Sequence, residues 1–192
     1  MWAQMAIDRV TKVDFKTKEL MEVKLAPQPG KDAQLSSAER DMYKKFGPDF
    51  QTSFPWSQGP RRMGSDKADN VAWVADSWGG NLARIDTRTL ETRLVPLPDP
   101  ATMQPYAATA DSQHNAWTNL WTADQIARYS PRTGQWTVFD YPTHGTESRL
   151  FTLLEKDGKL TVTIAYSRAR KVAAMSVRSE DEIAAAMKES GL

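Results

Sequence analysis

Two stretches in the middle of the chain carry the same landmarks 44 residues apart, and this repeat constrains the fold more than any other feature of the sequence. Each copy begins at a tryptophan, Trp73 or Trp117, and continues through an apolar residue, an arginine and a threonine at matching positions. The further pairs are Leu82 and Ile126, Arg84 and Arg128, Thr89 and Thr133, and Leu97-Pro98 and Tyr141-Pro142. A fixed period of this length indicates repeated supersecondary units that bury their apolar faces against one another.

Each copy of the repeat divides into four strand-like runs separated by turn residues. The turn at 130–134 has proline at its second position and glycine at its end, between β-branched and aromatic residues, which is typical of a hairpin. The predicted strands are 62–66, 70–75, 81–86 and 91–97 in the first copy, and 106–111, 115–120, 125–130 and 135–140 in the second. Four strands in about 40–45 residues are the signature of a β-propeller blade. The predicted fold class is therefore an all-β propeller.

Weaker copies extend the pattern toward both ends, so that residues 1–178 are expected to form about four blades. The step from Asp14 to Leu25 equals the step from Asp86 to Leu97, and strand-like runs recur at 150–155, 159–164 and 171–176. An insertion at 28–58 interrupts the pattern. It is expected to contain a short helix at 35–46, because Ser36 and Glu39 have the spacing of a capping box. A second short helix is predicted within residues 179–192.

Composition excludes several classes of protein. The chain of 192 residues has no cysteine and two histidines, which removes disulfides, thiolate metal sites and cysteine nucleophiles. Its net charge of +1 argues against a nucleic-acid partner. No apolar run is long enough to span a membrane. The residues at the start of the sequence do not read as a signal peptide.

The landmarks of the repeat resemble the streptogramin lyase (virginiamycin B lyase) family of propellers, and more distantly the NHL and gluconolactonase-type propellers. The residues that carry the resemblance are Asn70-Val71-Ala72-Trp73, Leu82-Ala83-Arg84, Asp86-Thr87-Arg88-Thr89 and Leu97-Pro98, with their counterparts in the second copy. The resemblance implies a ring of six or seven blades that opens a lactone in a cyclic peptide antibiotic with a divalent metal. It also implies a periplasmic or secreted location, while a cytoplasmic one stays open.

The sequence departs from this family where the family places histidines ahead of the tryptophan motif. The stretches 59–63, 104–107 and 145–149 contain none. The acidic position that follows the tryptophan falls on Asp76, Leu120 and Tyr166, so one blade keeps a carboxylate there. His114 is expected in a turn, because histidine tolerates a positive φ better than most residues.

Candidate site residues gather at the end of the blades where these loops enter the innermost strands. A lactone-opening site needs a general base and a group that stabilises an oxyanion, and His144 and Glu147 are the candidate catalytic pair. Asp76 and Glu147 are candidate ligands for Mg²⁺ or Ca²⁺. The candidate ligand-binding residues are Arg61, Arg62, Trp78, Tyr106, Trp121 and Arg149. Each also fits a structural role in a rim loop or between blades.

The sequence favours a non-catalytic binding or assembly module with a small-molecule ligand in its central funnel. The alternative is a metal-assisted lyase or lactonase acting on a cyclic ester. Four blades are the low end for a closed ring, and an open arc exposes strand edges. The chain is therefore expected to pair with a second copy of itself, or to be the C-terminal part of a longer propeller whose other blades come from another chain or are missing. A compact four-bladed ring is the remaining alternative.

Overall fold

The computed structural model describes residues 1–46, 54–66, 68–178 and 180–189. The predicted all-β class is confirmed, since the residues in these ranges form fourteen strands in four antiparallel sheets, with two short α-helices outside the sheets. No helix in the described ranges is long and apolar enough to cross a membrane.

The strands follow chain order within every sheet, so each sheet is a simple meander. Blade 1 contains β1 (Trp2–Gln4), β2 (Arg9–Val13) and β3 (Leu20–Lys24). Blade 2 contains β4 (Pro60–Asp66), β5 (Val71–Asp76), β6 (Asn81–Asp86) and β7 (Thr92–Pro96). Blade 3 contains β8 (Pro105–Ala110), β9 (Ala116–Leu120), β10 (Gln125–Ser130) and β11 (Gln135–Asp140). Blade 4 contains β12 (Ser148–Lys156), β13 (Lys159–Tyr166) and β14 (Lys171–Val177).

The blades pack face to face in chain order. Trp73, which is 1% exposed, packs with blade 3 and meets the Tyr129 ring edge-on, with the ring centres 6.0 Å apart. Trp117 is fully buried and joins Val162 and Ile164 of blade 4 in one apolar cluster. Burying side chains of this size stabilises the fold by about 1.5–3 kcal/mol each. The repeated tryptophan is thus the main contact that each central blade makes with the next.

The turn that ends β2 repeats the turn that ends β6, as the sequence spacing predicts. The Asp14 carboxylate accepts hydrogen bonds from the backbone N–H groups two and three residues later, and the Asp86 carboxylate does the same. Carboxylates in this arrangement hold a tight turn closed. These hydrogen bonds hold the pKa of both carboxyl groups below the usual value.

Two aspartates connect one blade to the first strand of the next. Asp8 and Asp124 have left-handed backbones, with φ of 50° and 52°. The Asp8 carboxylate accepts hydrogen bonds from the backbone N–H groups of Gln58 (3.0 Å) and Gly59 (3.1 Å), across the whole insertion. Asp124 accepts from the N–H groups that precede β12, at 2.6 and 2.8 Å. These carboxylates hold successive blades together independently of the sheet hydrogen bonds.

The insertion between blades 1 and 2 contains the predicted helix, α1 (Ser37–Phe46). The capping box is present, because the Ser36 N–H donates to the Glu39 carboxylate at 2.8 Å and the Glu39 N–H donates to the Ser36 hydroxyl at 3.3 Å. The Tyr43 ring lies beside a stacked pair of Phe54 and Trp56 rings. Part of the predicted insertion, 47–53, lies outside the described residues.

The second helix, α2 (Glu180–Glu189), follows blade 4, where the sequence predicts one. Lys159 at the start of β13 forms an ion pair with Glu182 on this helix, at 3.1 Å. Residues 179 and 190–192 of the predicted segment lie outside the described residues.

Candidate anion-binding site

The inner strands of blades 2, 3 and 4 all begin with a β-bulge at the same register. In blade 2, Pro60 pairs opposite Asp76 and Met63 opposite Val74, so Arg61 and Arg62 face a single residue of β5. Bulges at the start of β8 and β12 leave one extra residue each, Tyr106 and Arg149. A bulge redirects the side chain of its extra residue, and bulges are common beside binding sites.

The bulge residues converge on one pair of aromatic rings. Tyr106 and Trp121 lie with ring centres 5.6 Å apart and planes tilted by 58°. The Arg61 guanidinium carbon lies 4.9 Å from the centre of the Tyr106 ring and 5.3 Å from that of Trp121. Arg62 lies 5.6 Å from the Tyr106 ring, and Arg149 lies 5.8 Å from both rings. These are distances at which the face of an aromatic ring attracts a cation.

A single ion pair balances part of this positive charge. The Arg149 guanidinium donates to the Glu147 carboxylate, and this hydrogen bond together with the carboxylate charge raises the pKa of Arg149. Three guanidinium groups and one carboxylate leave the cluster with a formal charge of +2. Arginine guanidinium groups bind carboxylate and phosphate with paired hydrogen bonds, so the arrangement fits an anion.

Two hydrogen-bond donors in the cluster are buried and lack a partner within the described structure: Arg61 Nε and Trp121 Nε1. Buried donors in folded proteins almost always have an acceptor, and each exception requires an explanation.

The cluster lies beside a channel that the first strands of the four blades surround. A cavity of 680 Å³ there is lined by Arg61 and Arg62 and by residues of β1, β8 and β12. A second cavity of 370 Å³, lined by Trp121, Asp124 and Glu147, borders the same cluster. The arginines and aromatic rings thus lie where open space would admit a small molecule.

The structure brings together five of the six predicted ligand-binding residues, the exception being Trp78. These five are Arg61, Arg62, Tyr106, Trp121 and Arg149. Trp78 lies on the loop after β5, where its ring packs so closely on Gly59 that a Cβ there would lie 2.8 Å from the ring's Cγ. Its role in ligand binding stays a prediction.

Asp76 lies apart from the arginine cluster, at the junction of blades 1 and 2. It is fully buried, and neither carboxylate oxygen has a hydrogen-bond partner in the part of the chain described. Burial raises the pKa of Asp76 well above its usual value, and the nearby negative charge of Asp8 raises it further.

The candidate catalytic histidine lies on the surface. The His144 side chain is 94% exposed, with Nδ1 4.0 Å from an Asp124 carboxylate oxygen. Burial raises the pKa of Asp124, but hydrogen bonds from Thr146 and Gly145 outweigh this effect and the net pKa is lowered. Asp124 therefore stays ionised and serves mainly to anchor the start of blade 4.

The candidate metal ligands do not fit a common divalent ion. Asp76 is fully buried, which raises its pKa and disfavours the ionised form that binds a metal ion, and Glu147 is bound by Arg149. In the described ranges, three potential ligand atoms within 4.8 Å of one another belong instead to Asp66, Asp69 and His114, at the opposite end of the inner strands. Binding of Mg²⁺ or Ca²⁺ by the chain stays a prediction.

That opposite group has structural roles of its own. His114 has the positive φ, 65°, that the sequence predicts, and its Nδ1 lies 2.7 Å from the Asp66 carboxylate of the preceding blade. Asp69 forms an ion pair with Arg84 at 3.5 Å. The link between Asp66 and His114 has no signal in the sequence, because residues 48 positions apart come into contact only when two blades pack.

Four antiparallel meanders packed face to face, with their first strands around one channel, define a β-propeller scaffold. No protein-family model matches the sequence, and no curated protein matches it. Among solved structures, the chain is similar to virginiamycin B lyase from Staphylococcus aureus, with a TM-score of 0.61 and 14% identity over 92% of this chain and 51% of the lyase chain.

The same lyase in a catalytically inactive form with quinupristin gives a TM-score of 0.60 at 13% identity, again over 92% and 51% of the two chains. Sqt1 from Saccharomyces cerevisiae gives 0.60 at 12% identity, over 91% of this chain and 40% of Sqt1. The predicted resemblance to the streptogramin lyase propellers is confirmed for the fold. The chain spans about half the length of the lyase structures that it matches.

Proposed function

We propose that this chain is a non-catalytic binding module for a small anionic ligand, held at the mouth of the channel between blades 2, 3 and 4. The observation that supports this function best is the convergence of Arg61, Arg62 and Arg149 on the Tyr106 ring, at 4.9, 5.6 and 5.8 Å. Like charges repel one another, so three guanidinium groups at one ring favour a bound anion.

The ligand class follows from the donors and the rings together. Fork-shaped guanidinium groups favour carboxylate or phosphate oxygens, and the half-buried Tyr106 and Trp121 offer apolar surface beside them. An organic acid or a phosphate ester with a compact apolar portion matches both features. The unpartnered Arg61 Nε and Trp121 Nε1 would donate to its oxygens.

The described residues favour binding over the metal-assisted lyase or lactonase alternative. A general base needs a free lone pair near the substrate, whereas Glu147 is held by Arg149 and His144 is 94% exposed. Assembly with a partner that completes the ring belongs to the same proposal, as does a periplasmic or secreted location, which rests on the sequence resemblance alone.

Isothermal titration calorimetry at low ionic strength tests the binding function, with citrate and pyrophosphate as probes and glucose as a neutral control. We expect saturable binding of an anion that weakens as salt is added. Arg149→Gln removes a half-exposed guanidinium and should weaken binding about tenfold or more, since a hydrogen bond to a charged group contributes about 1.5–3 kcal/mol.

Arg132→Gln is the matched control, because Arg132 is an exposed residue in the turn between β10 and β11. Equal affinities for the two arginine variants would contradict the assignment of the site. Absence of saturable binding of either anion at about 10 mM would contradict the binding function itself.

A further inference from the structure

One face of blade 4 is open and carries charge at one end only. Side chains alternate between the two faces of a sheet, and Val162 and Ile164 point toward blade 3. The opposite face, called here the open face of blade 4, is exposed at Leu150 (47%), Leu154 (57%) and Val172 (73%). Its members are Leu150, Thr152, Leu154, Thr161, Thr163, Ala165, Val172, Ala174 and Ser176, with Lys156 and Lys159 paired at the end beside the turn between β12 and β13.

This face occupies the position that blades 2 and 3 use to bind the blade that follows each of them. Thr163 is the counterpart in blade 4 of Trp73 and Trp117. It lies on the second strand of its blade, at the same position in the strand pairing as each tryptophan in its own blade. Both tryptophans are buried against the following blade. The open face of blade 4 therefore continues an interface that the chain already forms twice.

Blade 1 has an open face of the complementary kind. Val10 and Val23 point toward blade 2, where they pack on residues such as Ile85. Trp2 and Leu20 lie on the opposite face, called here the open face of blade 1, and are 42% and 60% exposed. Three charged residues lie on this face: Arg9 and Glu22 form an ion pair, and Lys24 pairs opposite Arg9.

We propose that a second copy of this chain binds head to tail, with the open face of blade 4 of each copy against the open face of blade 1 of the other. This inference rests on the assembly part of the proposed function. Two copies supply eight blades, which is within the known range for closed propellers, and leave neither face exposed.

Light scattering behind size exclusion measures the mass of the full chain over a range of concentrations. The expected result is a dimer of twice 21.6 kDa. Ala165→Arg places a charge on the central strand of the open face of blade 4, between Leu150 and Val172, and should convert the dimer to a monomer. Leu20→Arg, on blade 1, should do the same, because each contact uses both faces.

Thr133→Arg is the control, since it adds the same charge at an exposed turn of blade 3. Circular dichroism checks that all three variants are folded. A wild-type monomer at about 100 µM, far above the Kd of a stable dimer, would overturn the proposal. So would a dimer that resists Ala165→Arg, or open-ended oligomers that grow with concentration, since a ring of two copies closes. Anion binding by such a monomer would leave the ligand site intact.

Discussion

The Arg61 guanidinium carbon lies 4.9 Å from the centre of the Tyr106 ring, so the bulge of one blade covers the bulge of the next. Both residues lie in the β-bulge at the start of an inner strand, where that strand has one residue more than the strand it pairs with. The side chains that meet at the channel mouth are therefore defined by the backbone register of three successive blades.

Tyr106→Leu should weaken anion binding and Tyr106→Phe should not. The ring face holds the arginines in place, and a cation–π contact contributes about 0.5–1 kcal/mol at an exposed site, or roughly two- to fivefold in affinity. Phenylalanine keeps that face whereas leucine does not. Calorimetric titration of both variants with citrate measures the difference, and equal loss in both would mean that the hydroxyl, not the ring, is required.

Glu147→Gln distinguishes a charge partner from a catalytic base. The Arg149 guanidinium donates to Glu147, so neutralising this carboxylate frees a cation for the ligand and should strengthen anion binding. The expected gain is about threefold or more, in keeping with about 1 kcal/mol for an exposed ion pair. Weaker anion binding in this variant would show that Glu147 contacts the ligand directly.

Asp76→Asn should remove a pH dependence of stability. Burial raises the pKa of Asp76 in the folded state. At a pH above the pKa of this side chain in the unfolded chain, the folded protein therefore holds a proton that the unfolded chain releases. The free energy of unfolding of the wild type consequently falls as the pH rises above about 4, the usual pKa of an aspartate in an unfolded chain, and levels off once the pH exceeds the raised pKa of Asp76. Urea unfolding at several pH values should show a flatter profile for the variant.

Asp140→Asn, at an exposed residue of β11, is the control for this measurement. A profile of Asp76→Asn that stays parallel to that of the wild type would show that another group carries the dependence, with Asp8 the first to examine, because burial raises its pKa as well.

Gly80→Ala should destabilise the fold far more than Gly134→Ala. Both glycines have a positive φ, of 61° and 71°. A Cβ on Gly80 would lie 2.6 Å from the Cα of Pro100, whereas a Cβ on Gly134 would meet open space. Backbone strain alone costs about 1–2 kcal/mol, so we expect that loss for Gly134→Ala and about 3 kcal/mol or more for Gly80→Ala. Thermal unfolding of the pair, with equal losses as the contrary result, tests the assignment.

The 44-residue period was sufficient to predict the strands of blades 2 and 3. Runs such as 81–86 and 135–140 match β6 and β11 because local alternation and turn residues determine both. The bulges were not predictable, because a bulge is a mismatch between two strands and neither strand carries it alone. The sequence predicts that Arg61, Tyr106 and Arg149 lie on one face of the propeller. Only the register of the strands, with its bulges, shows why their side chains meet.

Asp76 shows where reasoning within one blade fails. A carboxylate at the end of β5 reads as a metal ligand when that blade is considered alone. Burial raises the pKa of Asp76, and the negative charge of Asp8 raises it further. Asp8 lies 68 residues earlier in the chain and comes near Asp76 because blade 1 packs on blade 2. No spacing in the sequence reports that approach.

The hydrogen bonds from Gln58 and Gly59 to the Asp8 carboxylate join blade 1 directly to the far end of the insertion. These hydrogen bonds hold the start of blade 2 next to blade 1, so the position of blade 2 does not depend on the length of the insertion. Loop length adds only slowly to the entropic cost of closing such a joint. The insertion is thus a suitable site at which to introduce a reporter or an entire foreign domain without disturbing the blades.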